Sequence, residues 1–142
     1  MPIRELSPAD AQAAMSAAPG HVFVDVRTVE EYEGGHPAGT INVPWALRDP
    51  ASGGMSPNPE FVAVMRKHVP PGTPVFASCQ AGVRSLNACR ALEQAGYTQL
   101  VSVAGGWGGK RDPATGAIVA PGWKDAGLPT ALGPSDYARL RA

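Results

Sequence analysis

The sequence predicts an α/β fold, with a central, mostly parallel sheet flanked by helices on both faces. Predicted strands and helices alternate along the chain, which is the order that builds parallel sheets. Several predicted strands are apolar throughout, as expected for a sheet that is covered on both sides. The 142 residues have the usual size of one domain and can bury a sizeable core. We therefore expect residues 1–142 to form a single domain, with its core at about 5–130 and a C-terminal tail at 131–142.

Capping signals mark the predicted helices. Ser7 can cap a first helix whose first residue is Pro8, and Pro19 and Gly20 end it. Thr28 and Glu31 have the spacing of a capping box. A third helix starts near Asn58, and a fourth starts at Arg84 with core residues at helical spacing. The predicted helices cover residues 8–18, 29–34, 59–69 and 84–95.

Short, apolar, β-branched segments predict the strands. They cover residues 21–26, 40–43, 73–78 and 99–103. Residues 45–58 are rich in Gly, Ser and Pro and predict a loop. Residues 117–119 follow turn residues and are compatible with one arm of a hairpin. In the tail, Tyr137 and Leu140 stand at helical spacing, so a short packed helix and a frayed end both remain open.

Composition excludes several function classes. Lys plus Arg and Asp plus Glu both total 12, so the formal net charge is zero and neither nucleic acid nor a membrane surface is an expected partner. No apolar run is long enough to span a membrane, and the start lacks a secretory pattern, so we expect a cytoplasmic protein. The three histidines are scattered and two cysteines are too few for a disulfide framework. We expect no metal and no cofactor.

Cys79 is the candidate reactive residue. It stands between the predicted strand 73–78 and the helix 84–95, at the sheet edge where ligands bind in α/β folds. Backbone N–H groups in such a loop form an anion-binding concavity, and Gly82 permits the required turn. Arg84 and the helix dipole favour a thiolate, which is the nucleophilic form. Thiolate attack on an anionic substrate is therefore predicted, against the alternative of a buried, inert cysteine. The substrate-binding loop comprises Gln80, Ala81, Gly82, Val83, Arg84 and Ser85.

Three other residues are assigned less reactive roles. Cys89 lies on the apolar face of the fourth helix, which favours core packing over reactivity. His36 is expected to be a hydrogen-bonded structural residue. Trp45 follows Pro44, and the sequence leaves open whether it forms a pocket wall or packs in the core or in a lid.

The loop CQAGVRS at 79–85 resembles the active-site loop of rhodanese-like domains. The upstream segment DVRTVEEYEGGHPAGTINVP, residues 25–44, resembles the same family's Asp-Val-Arg, Glu-Tyr, Gly-His and Asn-x-Pro motif. The family's C-terminal motif is resembled at Gly105, Gly106, Trp123 and residues 127–129. The match spans about residues 5–130, and the chain is identified as a member of this family, similar to single-domain thiosulfate sulfurtransferases.

The resemblance implies a parallel sheet of about five strands and a double-displacement reaction. Cys79 would take the outer sulfur of thiosulfate or a persulfide, become a persulfide, and pass that sulfur to cyanide or a thiol. A protein thiol is a further candidate acceptor. Arg84 would hold the sulfonate end of the donor, and Asp25 and Arg27 would be structural supports near the site.

Two alternatives share this fold. Phosphatases and arsenate reductases with the same scaffold have a loop one residue longer, whereas Cys79 to Arg84 is six residues and contains no acid. Some members have lost the cysteine and are non-catalytic binding modules, but here Cys79 and Arg84 are both present.

The chain departs from the family pattern in one place, because sixteen residues, 107–122, separate Gly106 from Trp123. Lys110 or Arg111 in this insertion could attract an anionic donor. The alternative is a solvated turn.

Overall fold

The computed structural model describes residues 3–142. The strands are β1 (Arg4–Leu6), β2 (Val22–Asp25), β3 (His36–Pro37), β4 (Thr40–Asn42), β5 (Ala46–Arg48), β6 (Met55–Pro57), β7 (Val75–Ser78), β8 (Leu100–Val103), β9 (Lys110–Arg111), β10 (Ile118–Ala120) and β11 (Thr130–Ala131). The helices are α1 (Pro8–Ser16), α2 (Val29–Glu33), α3 (Phe61–His68), α4 (Val83–Gln94) and α5 (Tyr137–Arg141).

Five parallel strands form the central sheet in the order β1-β8-β7-β2-β4. In this register, Asp25 pairs with Asn42 on one side and with Ser78 on the other. Because parallel strands end at the same edge, the sheet brings these three residues together where β7 runs into Cys79. The predicted parallel sheet is confirmed.

Helices cover both faces of the sheet, as the uniformly apolar strands predict. On one face, Val24 and Val75 pack in a buried cluster with residues of α3, α4 and α5. On the other face, Phe23 and Phe76 pack against α1 and Trp123. Alternate residues of each strand point to opposite faces, so both clusters draw on the same strands.

The predicted helix starts are confirmed by the hydrogen bonds at the first two. Ser7 Oγ accepts from the N–H of Asp10 at 3.2 Å. Thr28 and Glu31 form both halves of the capping box. The fourth helix begins at Val83, one residue earlier than predicted, after Gly82 in the left-handed region at φ +107°. The sharp turn that brings the chain from β7 into α4 therefore occurs at Gly82.

Several segments differ from the prediction. β1 was not predicted, since three residues with mostly exposed side chains carry little apolar signal. Residues 45–58 are not all loop, because β5 and β6 pair antiparallel within them. Backbone pairing in this hairpin needs no apolar sequence, and all of β6 is exposed. The first helix ends at Ser16 rather than Ala18.

The C-terminal part of the chain contains a short hairpin, β9–β10, and the short helix α5. β9 and β10 pair antiparallel, which confirms the hairpin arm at 117–119. The tail forms α5, and its Tyr137 and Leu140 are both buried, so the packed helix is the correct alternative. Asn58 Nδ2 donates to Tyr137 Oη at 2.9 Å, which ties the tail to the start of α3.

None of the helices within residues 3–142 combines the length and the apolar character needed to cross a bilayer.

Candidate active site

Cys79 lies at the carboxyl end of β7, and its side chain is held within its own loop. The residue is 1% exposed. The N–H of Gly82 donates to Cys79 Sγ at 3.0 Å, and the thiol donates to Ser85 Oγ at 3.5 Å. The left-handed conformation of Gly82 aims this N–H back at the sulfur. The sulfur thus accepts a backbone N–H, which is the kind of donor that stabilises negative charge on it.

Ser85 connects the loop to the sheet. Its hydroxyl donates to the carbonyl oxygen of Gly82 at 3.1 Å and shares a hydrogen bond with Ser102 Oγ at 2.8 Å. Ser85 and Ser102 are completely buried. Ser102 was missed at the sequence level, since a single serine in an apolar strand seventeen residues away carries no signal of this contact.

Arg84 is the last residue of the six-residue loop, and its guanidinium group is paired with the carboxylate of Glu31. Its Nη1 donates to Glu31 Oε1 at 2.7 Å and its Nη2 donates to Glu31 Oε2 at 3.0 Å. The sequence indicates Glu31 only as a helix cap, and this second contact, across 53 residues, was missed. Burial raises the pKa of Glu31, but hydrogen bonds from Arg84 and Thr28 outweigh it and lower the pKa to about 2. The hydrogen bonds to Glu31 raise the pKa of Arg84.

The other loop residues form its outer surface. Gln80 and Val83 are exposed, and Ala81 is half-buried. The carbonyl oxygen of Gln80 accepts from the N–H of Gly108 at 3.0 Å. These side chains therefore lie on the outer side of the loop, at least partly exposed to solvent.

Asp25 and Arg27 form a buried ion pair beside the site. Arg27 Nη2 donates to Asp25 Oδ2 at 2.8 Å and to the carbonyl oxygen of Gly35 at 2.6 Å. Asn42 Nδ2 donates to the carbonyl oxygens of Asp25 and Arg27, both at 3.0 Å. These contacts join the ends of β2 and β4 to the turn after α2, as a structural support would.

The segment that follows β8 packs directly against the cysteine loop. The N–H of Trp107 donates to the carbonyl oxygen of Cys79 at 2.7 Å. A Cβ atom on Gly106 would lie 2.8 Å from the carbonyl carbon of Cys79, so only glycine fits there. The Trp107 ring lies 5.2 Å from Arg27 Cζ and 5.1 Å from Lys124 Nζ. The Gly-Gly pair thus supports the back of the loop.

The comparisons with known proteins agree with this geometry. The model of the rhodanese-like domain matches residues 7–109. The chain belongs to the rhodanese-like domain family. It is 36% identical over 111 residues to thiosulfate sulfurtransferase 16, chloroplastic, of Arabidopsis thaliana, covering 78% of this chain and 80% of that one. It is 36% identical over 98 residues to thiosulfate sulfurtransferase 18 of the same plant, covering 68% and 71%.

A solved structure shares the fold of this rhodanese-like domain. The crystal structure of Rv0390 from M. tuberculosis superposes with a TM-score of 0.77 and 31% sequence identity. The match covers 94% of this chain and all of that one. It therefore includes the insertion-bearing C-terminal part, beyond the residues that the family model matches.

Within the insertion of this rhodanese-like domain, the two basic residues differ. Arg111 Nη2 lies 2.7 Å from Asp125 Oδ1, so a carboxylate matches its charge. Lys110 is exposed. An attraction of donors by the insertion would therefore depend mainly on Lys110.

The remaining candidates behave as structural residues. Cys89 is completely buried, and burial raises its pKa to about 12, which confirms core packing. His36 Nδ1 lies 2.7 Å from the carbonyl oxygen of Tyr32, and its ring stacks on the Tyr32 ring. Trp45 is partly buried and packs edge-to-face on Phe61, against the outside of the core cluster.

The two cavities of this rhodanese-like domain that have the largest volumes do not coincide with the candidate active site. A cavity of about 450 Å³ lies at the amino ends of the strands, lined by residues such as Arg4, Pro74 and Leu100. Another, of about 430 Å³, is lined by Trp107 and Lys124. Cys79 lines neither cavity. Its choice as the candidate reactive residue therefore depends on the hydrogen bonds and charges around its sulfur, not on a cavity.

Proposed function

We propose that this rhodanese-like domain is a sulfurtransferase that transfers a sulfane sulfur through a persulfide on Cys79. The donor is thiosulfate or a persulfide, and the acceptor is cyanide or a thiol, including a protein thiol. The observation that supports this most strongly is the placement of Cys79 Sγ, which accepts the Gly82 N–H at 3.0 Å inside a six-residue loop. The relatives named thiosulfate sulfurtransferase support the same reaction class.

The first half-reaction is a displacement at the outer sulfur of the donor. The Cys79 thiolate attacks that sulfur of thiosulfate, a new S–S bond forms, and the old S–S bond breaks with its electron pair leaving on sulfite. With a persulfide donor, the same attack releases the donor's thiolate. The enzyme is left with one extra sulfur on Cys79. Covalent catalysis of this kind divides a difficult transfer into two easier steps.

The second half-reaction restores the thiolate. Cyanide attacks the outer sulfur of the persulfide, forms a C–S bond, and leaves as thiocyanate while the S–S electrons return to Cys79. A thiolate acceptor leaves in the same way as a new persulfide. No redox cofactor is needed, because the sulfur leaves the donor at the oxidation level at which it reaches the acceptor.

The loop is suited to hold the charged persulfide. The outer sulfur of the persulfide is anionic. Backbone N–H groups that are in place before the reaction stabilise this negative charge without reorganisation. The Gly82 N–H is one such group, and Ser85, which is fixed by Ser102 and donates to the Gly82 carbonyl oxygen, helps to hold the loop around Cys79. We assign Gln80, Ala81 and Val83 to the loop surface that meets the substrate, and Asp25 and Arg27 to support.

The length of the cysteine loop favours sulfur transfer over phosphate hydrolysis. Six residues from Cys79 to Arg84 form a narrower cradle than the longer loops of phosphatases and arsenate reductases on this scaffold. The loop also contains no carboxyl group to serve as a general acid.

We further propose that residues 1–142 act as one domain, in a compartment such as the cytoplasm that keeps Cys79 reduced.

The proposal is tested by steady-state transfer with a panel of donors and acceptors. The variant Cys79→Ala should lose all transfer above background. The matched control Cys89→Ala removes the other thiol and should retain transfer, because Cys89 is buried in the core. Transfer by Cys79→Ala would refute the proposal, and aryl phosphate hydrolysis that needs Cys79 would favour the phosphatase alternative.

A further inference from the structure

The cavity of about 430 Å³ beside Trp107 takes no part in the proposed sulfur transfer, although it has the size of a small-molecule site. Its lining comes from the turn at Gly34 and Gly35, from Trp107, and from residues between 124 and 132. The family model matches residues 7–109, so most of the lining lies beyond it. The cavity is therefore built mainly by the C-terminal segment of this chain.

Two apolar side chains form walls of this cavity next to Gly35. A Cβ atom added to Gly35 would lie 3.1 Å from Trp107 Cζ2 and 3.8 Å from Leu132 Cδ2. Because Gly35 has no side chain, the space beside these walls stays open. Leu132 is 80% exposed and Trp107 is partly exposed, so both present apolar surface to solvent. An apolar ligand that covers this surface gains free energy from removing it from water.

Lys124 gives the cavity a positive charge. Its Nζ lies 5.1 Å from the centroid of the Trp107 ring, and this cation–π contact holds the ammonium group beside the apolar wall. Within residues 3–142, Lys124 forms no salt bridge. The carboxylate of the next residue, Asp125, is paired with Arg111 at 2.7 Å. An anion that enters the cavity can therefore pair with Lys124.

No negative side chain is found among the described residues that line the cavity, and Lys124 is the one charged residue there. Glu33, which precedes the lining residue Gly34, accepts the N–H of Ser135 at 2.9 Å and is not part of the lining. The cavity thus combines one cation with apolar walls.

We propose that this cavity binds a small organic anion, in which a charged group is joined to an apolar body. Lys124 binds the anionic group, and Trp107, Leu128 and Leu132 contact the apolar body. An inorganic anion uses only the lysine, and a neutral apolar molecule uses only the walls, so each of them binds more weakly. This binding goes beyond sulfur transfer and needs no reaction at Cys79.

The test titrates the folded, isotope-labelled chain with three probes and follows the backbone amides by two-dimensional NMR. Naphthoate has both the charge and the apolar body, naphthamide has the same body without the charge, and acetate has the charge without the body. Naphthoate should shift the amide signals of Gly35, Trp107 and Leu132. Its Kd should be about five-fold lower than that of naphthamide, as expected for one solvent-exposed ion pair. Acetate should not saturate these signals in the same concentration range.

Two variants assign the binding to its residues. Lys124→Gln should raise the Kd of naphthoate about five-fold and leave that of naphthamide unchanged. Leu132→Ser should weaken both probes, because it removes apolar wall and no charge. The matched control is Lys110→Gln, since Lys110 is an exposed lysine of the same C-terminal segment that does not line the cavity. Lys124 and Leu132 are exposed, so both variants should fold, which thermal unfolding checks.

The inference is overturned if naphthoate binds no more tightly than naphthamide, or if its Kd is the same in Lys124→Gln as in the wild type. Signal shifts confined to the other large cavity, near Arg4 and Leu100, would also overturn it. The failure of the proposed function looks different, because sulfur transfer to Cys79 is measured without any of these probes. A chain that transfers no sulfur would still bind naphthoate, and a chain that binds no naphthoate would still transfer sulfur.

Discussion

The contact between Gly106 and the cysteine loop gives a prediction whose size follows from the structure. In Gly106→Ala, the new Cβ would lie 2.8 Å from the carbonyl carbon of Cys79 and 2.9 Å from that of Gln80. These are backbone atoms, which cannot rotate away as a side chain would. The loop must therefore move, and the Trp107 N–H bond to the Cys79 carbonyl oxygen is the first contact it loses.

Two terms set the expected cost. Gly106 has φ +54°, and an alanine in the left-handed region costs about 1–2 kcal/mol. A buried hydrogen bond that is left unmade costs about 1–3 kcal/mol more. The free energy of unfolding should fall by about 2–5 kcal/mol, which for a domain of this size corresponds to a drop in Tm of roughly 6–15 °C.

The matched control is Gly20→Ala. Gly20 has φ +76°, and an added Cβ would meet no heavy atom within 4 Å in residues 3–142. It carries the backbone strain alone, about 1–2 kcal/mol. Thermal unfolding and the rate of Cys79 persulfide formation are measured for both variants. If Gly106→Ala matches Gly20→Ala in Tm and reacts at the wild-type rate, Gly106 does not support the loop.

Three further predictions concern other buried or paired groups. Burial raises the pKa of Cys89 to about 12, so iodoacetamide at neutral pH should leave Cys89 unmodified in the folded protein and modify it after unfolding. Peptide mass mapping measures this, and modification of Cys89 in the folded protein would contradict the prediction. The pKa of Glu31 falls from 4.5 to about 2 on folding, so its stabilisation, about 1–2 kcal/mol after solvent screening, is present above pH 4.5 and lost as pH falls towards 2. The unfolding free energies of wild type and Glu31→Gln should therefore converge over that window, and a constant difference would contradict the assignment. Arg27→Met should cost about 3–5 kcal/mol because it strands a buried carboxylate, while the double variant Asp25→Asn/Arg27→Met should cost less by urea unfolding; equal costs would show that the pairing does not matter.

Features written locally in the sequence were predictable. Ser7 and the Thr28–Glu31 pair mark helix starts because a cap is satisfied within four residues. The strand around Val24 is visible because a strand buried on both faces is apolar throughout. The position of Cys79 follows from these two signals, since it stands where such a strand meets a helix.

Features that depend on chain segments far apart were not predictable from residue patterns. The Arg84–Glu31 bridge joins residues 53 positions apart, and the sequence marks Glu31 only as a helix cap and Arg84 only as a residue of the cysteine loop. The same holds for Ser102 beneath Ser85. β1 completes the sheet through backbone hydrogen bonds to β8, and such bonds leave no apolar signature in three residues. The folded topology, rather than composition, decides these contacts.

The central claim, that Cys79 carries the transferred sulfur, is tested most directly in a single turnover. The protein is treated with excess donor, freed of it, and analysed by peptide mass before and after the addition of cyanide. The account predicts one additional sulfur atom per chain, located on the Cys79 peptide and not on the Cys89 peptide, and its complete release as thiocyanate. An unchanged mass of the Cys79 peptide, or a bound sulfur that cyanide does not remove, would contradict it.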